Sequence, residues 1–183
     1  MPATIQAQQL IGLPVLQMSG RSSGKVKDVW FDEFWRLSGV VLDTRVWLSK
    51  AVKAIKWDNI VSCGEDALLI RDSGAVETID RNQLLRTFNG GVVRLKEMPV
   101  YTVAGIELGK VADVYFKDSE GTPLVGYELT DGFLADVFEG RRRLYLPDGP
   151  ENVILGEDAI LVPASCERVL ERDHTRKVIG EDG

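Results

Sequence analysis

The sequence contains an internal repeat, and this repeat limits the possible folds more than any other feature. GKVKDVWF at residues 24–31 recurs as GKVADVYF at residues 109–116. Near the end of each copy, GEDALLI at residues 64–70 recurs as GEDAILV at residues 156–162. Similar blocks in the same order indicate a structural unit that occurs more than once. Any fold for this chain must accommodate two such units.

Two shorter matches lie between these blocks and follow the same order. LPV at residues 13–15 returns as MPV at 98–100, and LSGV at 37–40 returns as LVGY at 124–127. The spacing between matched blocks widens along the chain, so insertions fall between the blocks. Four ordered matches of this kind are not expected by chance. The chain is therefore interpreted as one small unit in tandem.

Each copy has the pattern of short β-strands separated by turns. Gly24 and Gly109 open the β-rich blocks, and we assign them to hairpin corners, where glycine is favoured. Val26 and Val29 cannot share one face of a regular strand, because successive side chains alternate between the faces. We therefore predict a β-bulge near Asp28.

The carboxylates Asp28 and Asp113 occupy matching positions in the two copies. Neither has an acid or base partner that is evident in the sequence. We interpret both as structural residues whose side chains accept hydrogen bonds from backbone N–H groups at the bulge.

The number of short strands in each copy indicates a curved sheet. Five or six strands in so small a unit would leave costly open edges unless the sheet closed on itself. We predict a mainly β fold with two tandem small barrels and short connecting and C-terminal helices. Asp80–Phe88 has the capping residue and the apolar spacing of a short helix. The predicted domains are unit 1 at residues 1–79, a helical linker at 80–91, unit 2 at 92–165 and a polar tail at 166–183.

The repeated blocks resemble those of the PRC-barrel family: GKVxDVxF, a later glycine, and a closing GEDA(L/I)L(I/V). The resemblance covers residues 8–72 and 94–164. It implies a compact β-barrel that acts as an assembly or adaptor module. Such barrels occur in the photosynthetic reaction-centre H subunit and in a ribosome-maturation factor. Here the first half is itself a PRC-like unit, so the chain is most similar to stand-alone tandem PRC proteins.

Charge is distributed unevenly along the sequence. The net charge is −6, with +1 in residues 1–90 and −7 in residues 91–183. The acidic second half disfavours nonspecific nucleic-acid binding, because phosphates would meet a repulsive field. There is no apolar run of membrane-spanning length, and the first residues have neither a basic segment nor an apolar signal core, so we do not expect secretion. Cys63 and Cys166 suit a reducing compartment. We expect a cytoplasmic protein without an integral membrane segment.

The sequence contains no recognisable catalytic constellation. His174 is the only histidine and lies in the polar tail, which argues against a catalytic triad or a histidine metal site. Gly20–Lys25 superficially suggests a phosphate-binding loop, but three residues separate its glycines instead of four, and Val26 follows the lysine. We therefore expect neither enzymatic activity nor a cofactor or metal.

Two segments differ between the copies and are the candidate interfaces. In the first copy, the loop FDEFWR at residues 31–36 takes the place of the polar turn at residues 116–123. In one interpretation, Phe34 and Trp35 form an exposed aromatic anchor for a partner. In the other, they cover the junction between the copies or close the mouth of the barrel.

The second candidate segment lies in the second copy. Residues 131–140 have the apolar spacing of a short helix that would plug a barrel end, and Arg141, Arg142 and Arg143 follow it. Three arginines are suited to phosphates of RNA or lipid, or to an acidic protein surface. In an extended segment their side chains alternate, so pairing with neighbouring acids is the alternative interpretation.

Together these features favour a non-catalytic interaction or adaptor module. It would dock an unidentified protein through strand edges and the aromatic loop. An RNA-processing or ribosome-maturation-associated factor is the alternative. Self-association through strand edges and an enzyme with a pocket between the units are further hypotheses.

Overall fold

The computed structural model describes residues 4–44, 50–131, 140–146 and 152–170. The chain divides into two compact units. Unit 1 comprises Met1–Arg94 together with Phe116–Pro123, and unit 2 comprises Leu95–Tyr115 together with Leu124–Gly183. Residues 116–123, from a hairpin of the second copy, are thus part of unit 1.

Unit 1 is built from short strands and single helical turns. Its described strands are β1 (Thr4–Gln6), β2 (Pro14–Gln17), β3 (Ser22–Phe31), β4 (Leu37–Leu42), β5 (Ala51–Lys56), β6 (Ile60–Cys63), β7 (Leu68–Ile70), β8 (Glu77–Asp80), β9 (Arg86–Thr87) and β10 (Val93–Arg94). Its described helical segments are α1 (Ala7–Leu10) and the 3-10 turns Trp57–Asn59, Ser73–Ala75 and Arg81–Gln83.

Unit 2 is built in the same way. Its described strands are β11 (Pro99–Thr102), β12 (Glu107–Lys117, whose last two residues belong to unit 1), β13 (Leu124–Thr130), β14 (Arg142–Tyr145), β15 (Ile154–Leu155) and β16 (Ile160–Val162). A short helix at residues 165–170 follows the last strand.

Six strands have the same order in the two units. The strand order is β6-β7-β2-β3-β4-β5-β8 in unit 1 and β15-β16-β11-β12-β13-β14 in unit 2. The central strand β2 pairs in parallel with β7 and antiparallel with β3, and β11 pairs in the same way with β16 and β12. Each sheet is curled into a half-barrel. The prediction of a mainly β fold with one small unit in tandem is confirmed.

One face of each curled sheet forms the core of its unit. Burying an aliphatic side chain of this size stabilises the folded chain by about 1.5–3 kcal/mol. In strands such as β7, β11 and β16, buried residues alternate with less buried ones, and this alternation fixes the strand register. β4 and most of β12 are instead buried on both faces. Fully buried core residues include Val15, Val29, Val40, Ile55, Leu68 and Ile70 in unit 1, and Val100, Val111, Val114, Leu129, Leu144, Ile160 and Val162 in unit 2.

A buried carboxylate occupies the bulge in β3. The β3–β4 register shifts between Val26 and Asp28, so that Val26 and Val29 are both buried. Asp28 Oδ1 accepts hydrogen bonds from the N–H groups of Val29 and Asn89, and Oδ2 accepts one from Gly90, each at 2.9 Å. The carboxylate therefore links the bulge to the chain that follows β9. In unit 2, the N–H of the next residue donates to Asp113 Oδ1 at 2.8 Å.

Gly24 lies at a bulge inside β3, and its assignment to a hairpin corner was wrong. The turn that joins β2 to β3 lies earlier, at Gly20. Gly24 pairs with Val15 at a shift in the β2–β3 register, and its φ of +113° favours glycine. Gly109 repeats this arrangement in unit 2 with a φ of +130°. Both glycines are thus needed for the bulge and not for a turn.

The helix predicted over Asp80–Phe88 is also wrong. The Asp80 side chain does accept a hydrogen bond from the N–H of Asn82, but the 3-10 turn it caps ends at Gln83. The chain then forms β9, which pairs with β3. A helix this short is marginal by itself, so pairing with β3 and burial of Phe88 override the local preference.

Asp28→Asn should lower the free energy of unfolding by about 2 kcal/mol, because the buried site loses charge-assisted acceptors for three backbone N–H groups. Urea denaturation measures the change. Asp66→Asn, at an exposed turn, is the matched control and should have little effect. Equal stability of the two variants would contradict the structural role of Asp28.

Tyr127→Phe should raise the free energy of unfolding by about 1 kcal/mol, because the Tyr127 hydroxyl is buried without a hydrogen-bond partner among the described residues. Tyr115→Phe removes the same atom from a tyrosine whose hydroxyl donates to Glu128 Oε2 at 2.7 Å. This control should lower stability by about 1–2 kcal/mol. Urea denaturation of both variants compares them, and changes of the same sign would contradict the prediction.

Stability should also decline at alkaline pH. Burial raises the pKa of the Tyr127 hydroxyl above its usual value of 10, so the unfolded chain releases this proton first. The contribution is fully present below pH 10 and is lost as the pH rises further. Tyr127→Phe should reduce the slope of stability against pH above about pH 10, as measured by urea denaturation. Identical slopes for the variant and the natural protein would refute this.

Candidate functional site

The β3–β4 loop is held in one conformation by its own polar groups. Asp32 Oδ1 accepts hydrogen bonds from the N–H of Phe34 at 2.8 Å and from the N–H of Arg36 at 2.9 Å. The Asp32 N–H donates to the Arg36 carbonyl at 3.1 Å, and the Trp35 N–H donates to the Asp32 carbonyl at 3.1 Å. A short carboxylate that bonds to the N–H groups ahead of it is a recognised way to fix a turn. These four hydrogen bonds define the conformation of the loop backbone.

Trp35 is buried and cannot serve as the exposed anchor that the sequence allowed. Its ring centroid lies 5.8 Å from that of Phe31, and the guanidinium of Arg86 lies 5.7 Å from the indole. The φ of Trp35 is +58°, which a bulky residue adopts only where its surroundings impose it. The indole points into unit 1, whereas the side chain of its neighbour Phe34 points outward.

Phe34 is that outward neighbour, and 65% of its surface is exposed. The Arg36 guanidinium lies over its ring, 5.3 Å from the centroid. A cation–π contact at an exposed site contributes about 0.5–1 kcal/mol of interaction free energy, which restrains the ring. Phe34 is thus an exposed aromatic side chain on a fixed backbone.

An open cleft of about 440 Å³, here called the unit 1 cleft, lies beside this loop. Trp30 and Leu37 line it, together with Trp57 and Asp58 of a 3-10 turn and residues 118–122. Two hydrogen bonds hold the latter segment in place: Thr122 Oγ1 donates to the Leu37 carbonyl at 2.8 Å, and the Leu37 N–H donates to the Thr122 carbonyl at 3.2 Å. The cleft is therefore formed by segments that are far apart in the sequence.

The side chains around the unit 1 cleft are predominantly acidic. Its carboxylates are those of Asp32, Asp58, Asp118 and Glu120, and its cations are Arg36 and Lys56. Lys56 Nζ lies 3.7 Å from the Glu77 carboxylate, and Arg36 lies over Phe34. Both cations therefore have partners outside the group of cleft carboxylates.

The three arginines of the second copy are not equivalent. Arg142 pairs with the Asp131 carboxylate and donates to the Leu108 carbonyl at 2.7 Å. Arg141 lies 3.2 Å from Glu128 Oε1. Arg143 is exposed on β14. Two of the three guanidinium groups are thus bonded to carboxylates, as in the alternative interpretation of this segment.

The Glu128 carboxylate also bonds to a tyrosine in unit 2. Burial and the hydrogen bond to Glu128 raise the pKa of Tyr115, whose ring centroid lies 5.6 Å from that of the half-exposed Tyr145.

The apolar helical face predicted at residues 132–139 and His174 both lie outside the described residues.

The described residues contain no group of three or more His, Cys, Asp or Glu side chains placed to hold a metal ion. Cys63 and Cys166 are free thiols, the first exposed and the second buried. Although the Cys63 residue is exposed, the surrounding chain partly shields its sulfur from water, and this desolvation and the nearby Asp118 carboxylate raise the pKa of the thiol. The thiol is therefore mainly protonated at neutral pH. In the part of the chain that the structure describes, no helix is long and apolar enough to cross a membrane.

The sequence indicates Phe34 as a candidate but does not indicate the unit 1 cleft. Trp30 lies within a repeated block and has the appearance of an ordinary strand residue. Trp57 and residues 118–122 carry no motif. Only the pairing of distant segments brings these residues together, so the sequence offers no local signal for the cleft.

Comparison with known proteins agrees with the repeat. A family model of the PRC-barrel domain matches residues 2–76 and again residues 91–169. No match is found among curated proteins. The two matched segments contain the six strands whose order is the same in both units. The chain therefore belongs to the PRC-barrel family and carries two PRC-barrel domains in tandem.

Proposed function

We propose that this protein is a non-catalytic adaptor that docks a partner protein through the Phe34 loop. The observation that carries the proposal is the exposed Phe34 ring on a backbone fixed by the Asp32 carboxylate. Aromatic residues at the centres of interfaces often contribute 2 kcal/mol or more to binding. An exposed aromatic side chain on an ordered loop is well suited to such a contact.

The fixed backbone matters because ordering a loop on binding costs free energy. Immobilising a flexible side chain alone costs about 0.5–1.5 kcal/mol. In the Phe34 loop the Asp32 hydrogen bonds and the burial of Trp35 already order the chain. Most of the favourable contact energy of Phe34 would then be available for affinity.

Strand edges offer a second means of docking. Among the described strands, β6 and β8 end the sheet of unit 1, and β14 and β15 end that of unit 2. Backbone groups at such edges pair readily with an added strand. The same edges would support self-association of this protein, which sedimentation velocity can detect.

The RNA- or ribosome-associated alternative has less support. Arg141 and Arg142 are bonded to Glu128 and Asp131, so phosphate binding would have to displace a carboxylate in each case. The net charge of −7 in residues 91–183 opposes a polyanion at longer range.

The proposed adaptor acts in the cytoplasm, in keeping with its two free thiols.

A photo-crosslinking amino acid at position 34 should give discrete crosslinked products in a lysate of the host, because that side chain would lie in the interface. Excess natural protein should compete these products away, and excess Phe34→Ser protein should not. Denaturing gels and mass spectrometry identify the products.

The control carries the crosslinker at position 103, where Val103 is similarly exposed, at 64%. Products of the same size and yield from both positions would indicate nonspecific labelling and contradict docking at Phe34. Unfolding measurements should show that Phe34→Ser loses at most about 1 kcal/mol of stability, because the lost side chain is mostly exposed and its cation–π contact with Arg36 is weak.

A further inference from the structure

We infer that the unit 1 cleft binds an arginine side chain presented by a basic segment of the partner protein. This inference rests on the proposed docking function and specifies the chemistry of the partner. It is supported by the aromatic side chains of the cleft, by its free carboxylates and by its position beside Phe34.

Trp30 forms an aromatic surface whose place is fixed by a glycine. A Cβ atom at Gly39 would lie 2.3 Å from Trp30 Cη2 and 2.2 Å from the Ile55 carbonyl oxygen. Only glycine therefore lets the Trp30 ring lie against β4. Trp57, from the neighbouring 3-10 turn, adds a second half-buried indole to the cleft. Indole faces attract cations, and the planar guanidinium of arginine can also stack on them.

Three exposed residues that line the same cleft carry carboxylates with no ion pair among the described residues. They are Asp58, Asp118 and Glu120. The two cations of the cleft, Lys56 and Arg36, lie against Glu77 and Phe34 instead. Carboxylates accept charge-assisted, often bidentate hydrogen bonds from arginine. The charge of the cleft thus matches a basic ligand and opposes a phosphate group.

The size of the cleft suits one long side chain with its flanking backbone. A space of about 440 Å³ lies near the lower end of the range for small-ligand pockets, which is about 300–1,000 Å³. Lysine fits the charge, but its compact ammonium is strongly hydrated and lacks the planar fork. Arginine therefore matches both the indoles and the carboxylates.

The cleft is continuous with the proposed docking loop. Asp32 and Arg36 line the cleft and also hold Phe34 in place. A partner segment that contacts the Phe34 ring would therefore pass the cleft. Both contacts would then belong to one interface.

The test uses the full chain labelled with ¹⁵N at its tryptophan indoles. The probe is the peptide acetyl-Gly-Gly-Arg-Gly-Arg-Gly-Gly-amide, and citrulline and lysine versions are the matched peptides. The arginine peptide should shift the indole signals of Trp30 and Trp57 and leave that of buried Trp35 nearly unchanged. The citrulline peptide, which keeps the shape but lacks the charge, should not bind, and the lysine peptide should bind more weakly.

The double variant Asp58→Asn/Glu120→Gln should weaken binding of the arginine peptide by about fivefold or more, because two charge-assisted contacts are lost. The control Glu65→Gln/Asp66→Asn removes the same charge from an exposed turn outside the cleft and should change binding by less than about twofold. All four positions are exposed, so both variants are expected to fold.

Several results would overturn the inference. The inference fails if the two double variants weaken binding of the arginine peptide equally, or if the citrulline peptide binds as well as the arginine peptide. It also fails if a uridine decanucleotide shifts the indole signals more strongly than the arginine peptide does. Indole shifts that depend on protein concentration without any peptide would mean that a second copy fills the cleft, and would also overturn it. If crosslinking at position 34 persists while the peptide fails to bind, only the cleft inference is lost. If the peptide binds but the crosslinks are absent, docking through Phe34 is lost.

Discussion

The hydrogen bonds of the Asp28 carboxylate are the interaction on which unit 1 most depends. They satisfy the backbone at the β3 bulge, and the bulge allows Val26 and Val29 to enter the same core. The same carboxylate binds the N–H groups of Asn89 and Gly90, so it also orders the chain beyond β9. A buried carboxylate without such partners would be strongly destabilising. Its position therefore couples the curvature of β3 to the placement of a segment about sixty residues later.

Phe34, the residue proposed to bind a partner, depends on a second local constraint, which is the backbone conformation of Trp35. Trp35 adopts a left-handed backbone conformation, and burial of its indole against Phe31 offsets the strain. Because the indole points inward, Phe34 points outward on a backbone that Asp32 fixes. The exposed ring and the buried ring are thus two results of the same loop geometry. Asp32 both fixes this loop and lines the unit 1 cleft, so the two candidate contacts share their support.

Much of the fold could be predicted from the sequence, because strand formation here follows local patterns. The repeated blocks located the strands, and the spacing of Val26 and Val29 located the bulge. The errors arose where a distant segment overrides a local preference. Asp80–Phe88 has helical spacing, yet β3 offers Thr87 a strand partner and the core accepts Phe88. Gly24 has the composition of a turn, but the register of β2 against β3 places it inside a strand.

The sequence by itself determined that one β unit occurs twice, since each copy repeats the residues that form its strands, bulge and turns. It also singled out the Phe34 loop as a place where the copies differ. Only the tertiary structure decided which of two adjacent aromatic rings is exposed, because the Trp35 indole is buried against Phe31 and against Arg86, which comes from the distant strand β9. The unit 1 cleft likewise exists only in the tertiary structure, since Trp30, Trp57 and residues 118–122 lie in separate strands and turns. Such a site arises from long-range pairing of segments, which leaves no periodic pattern along the chain.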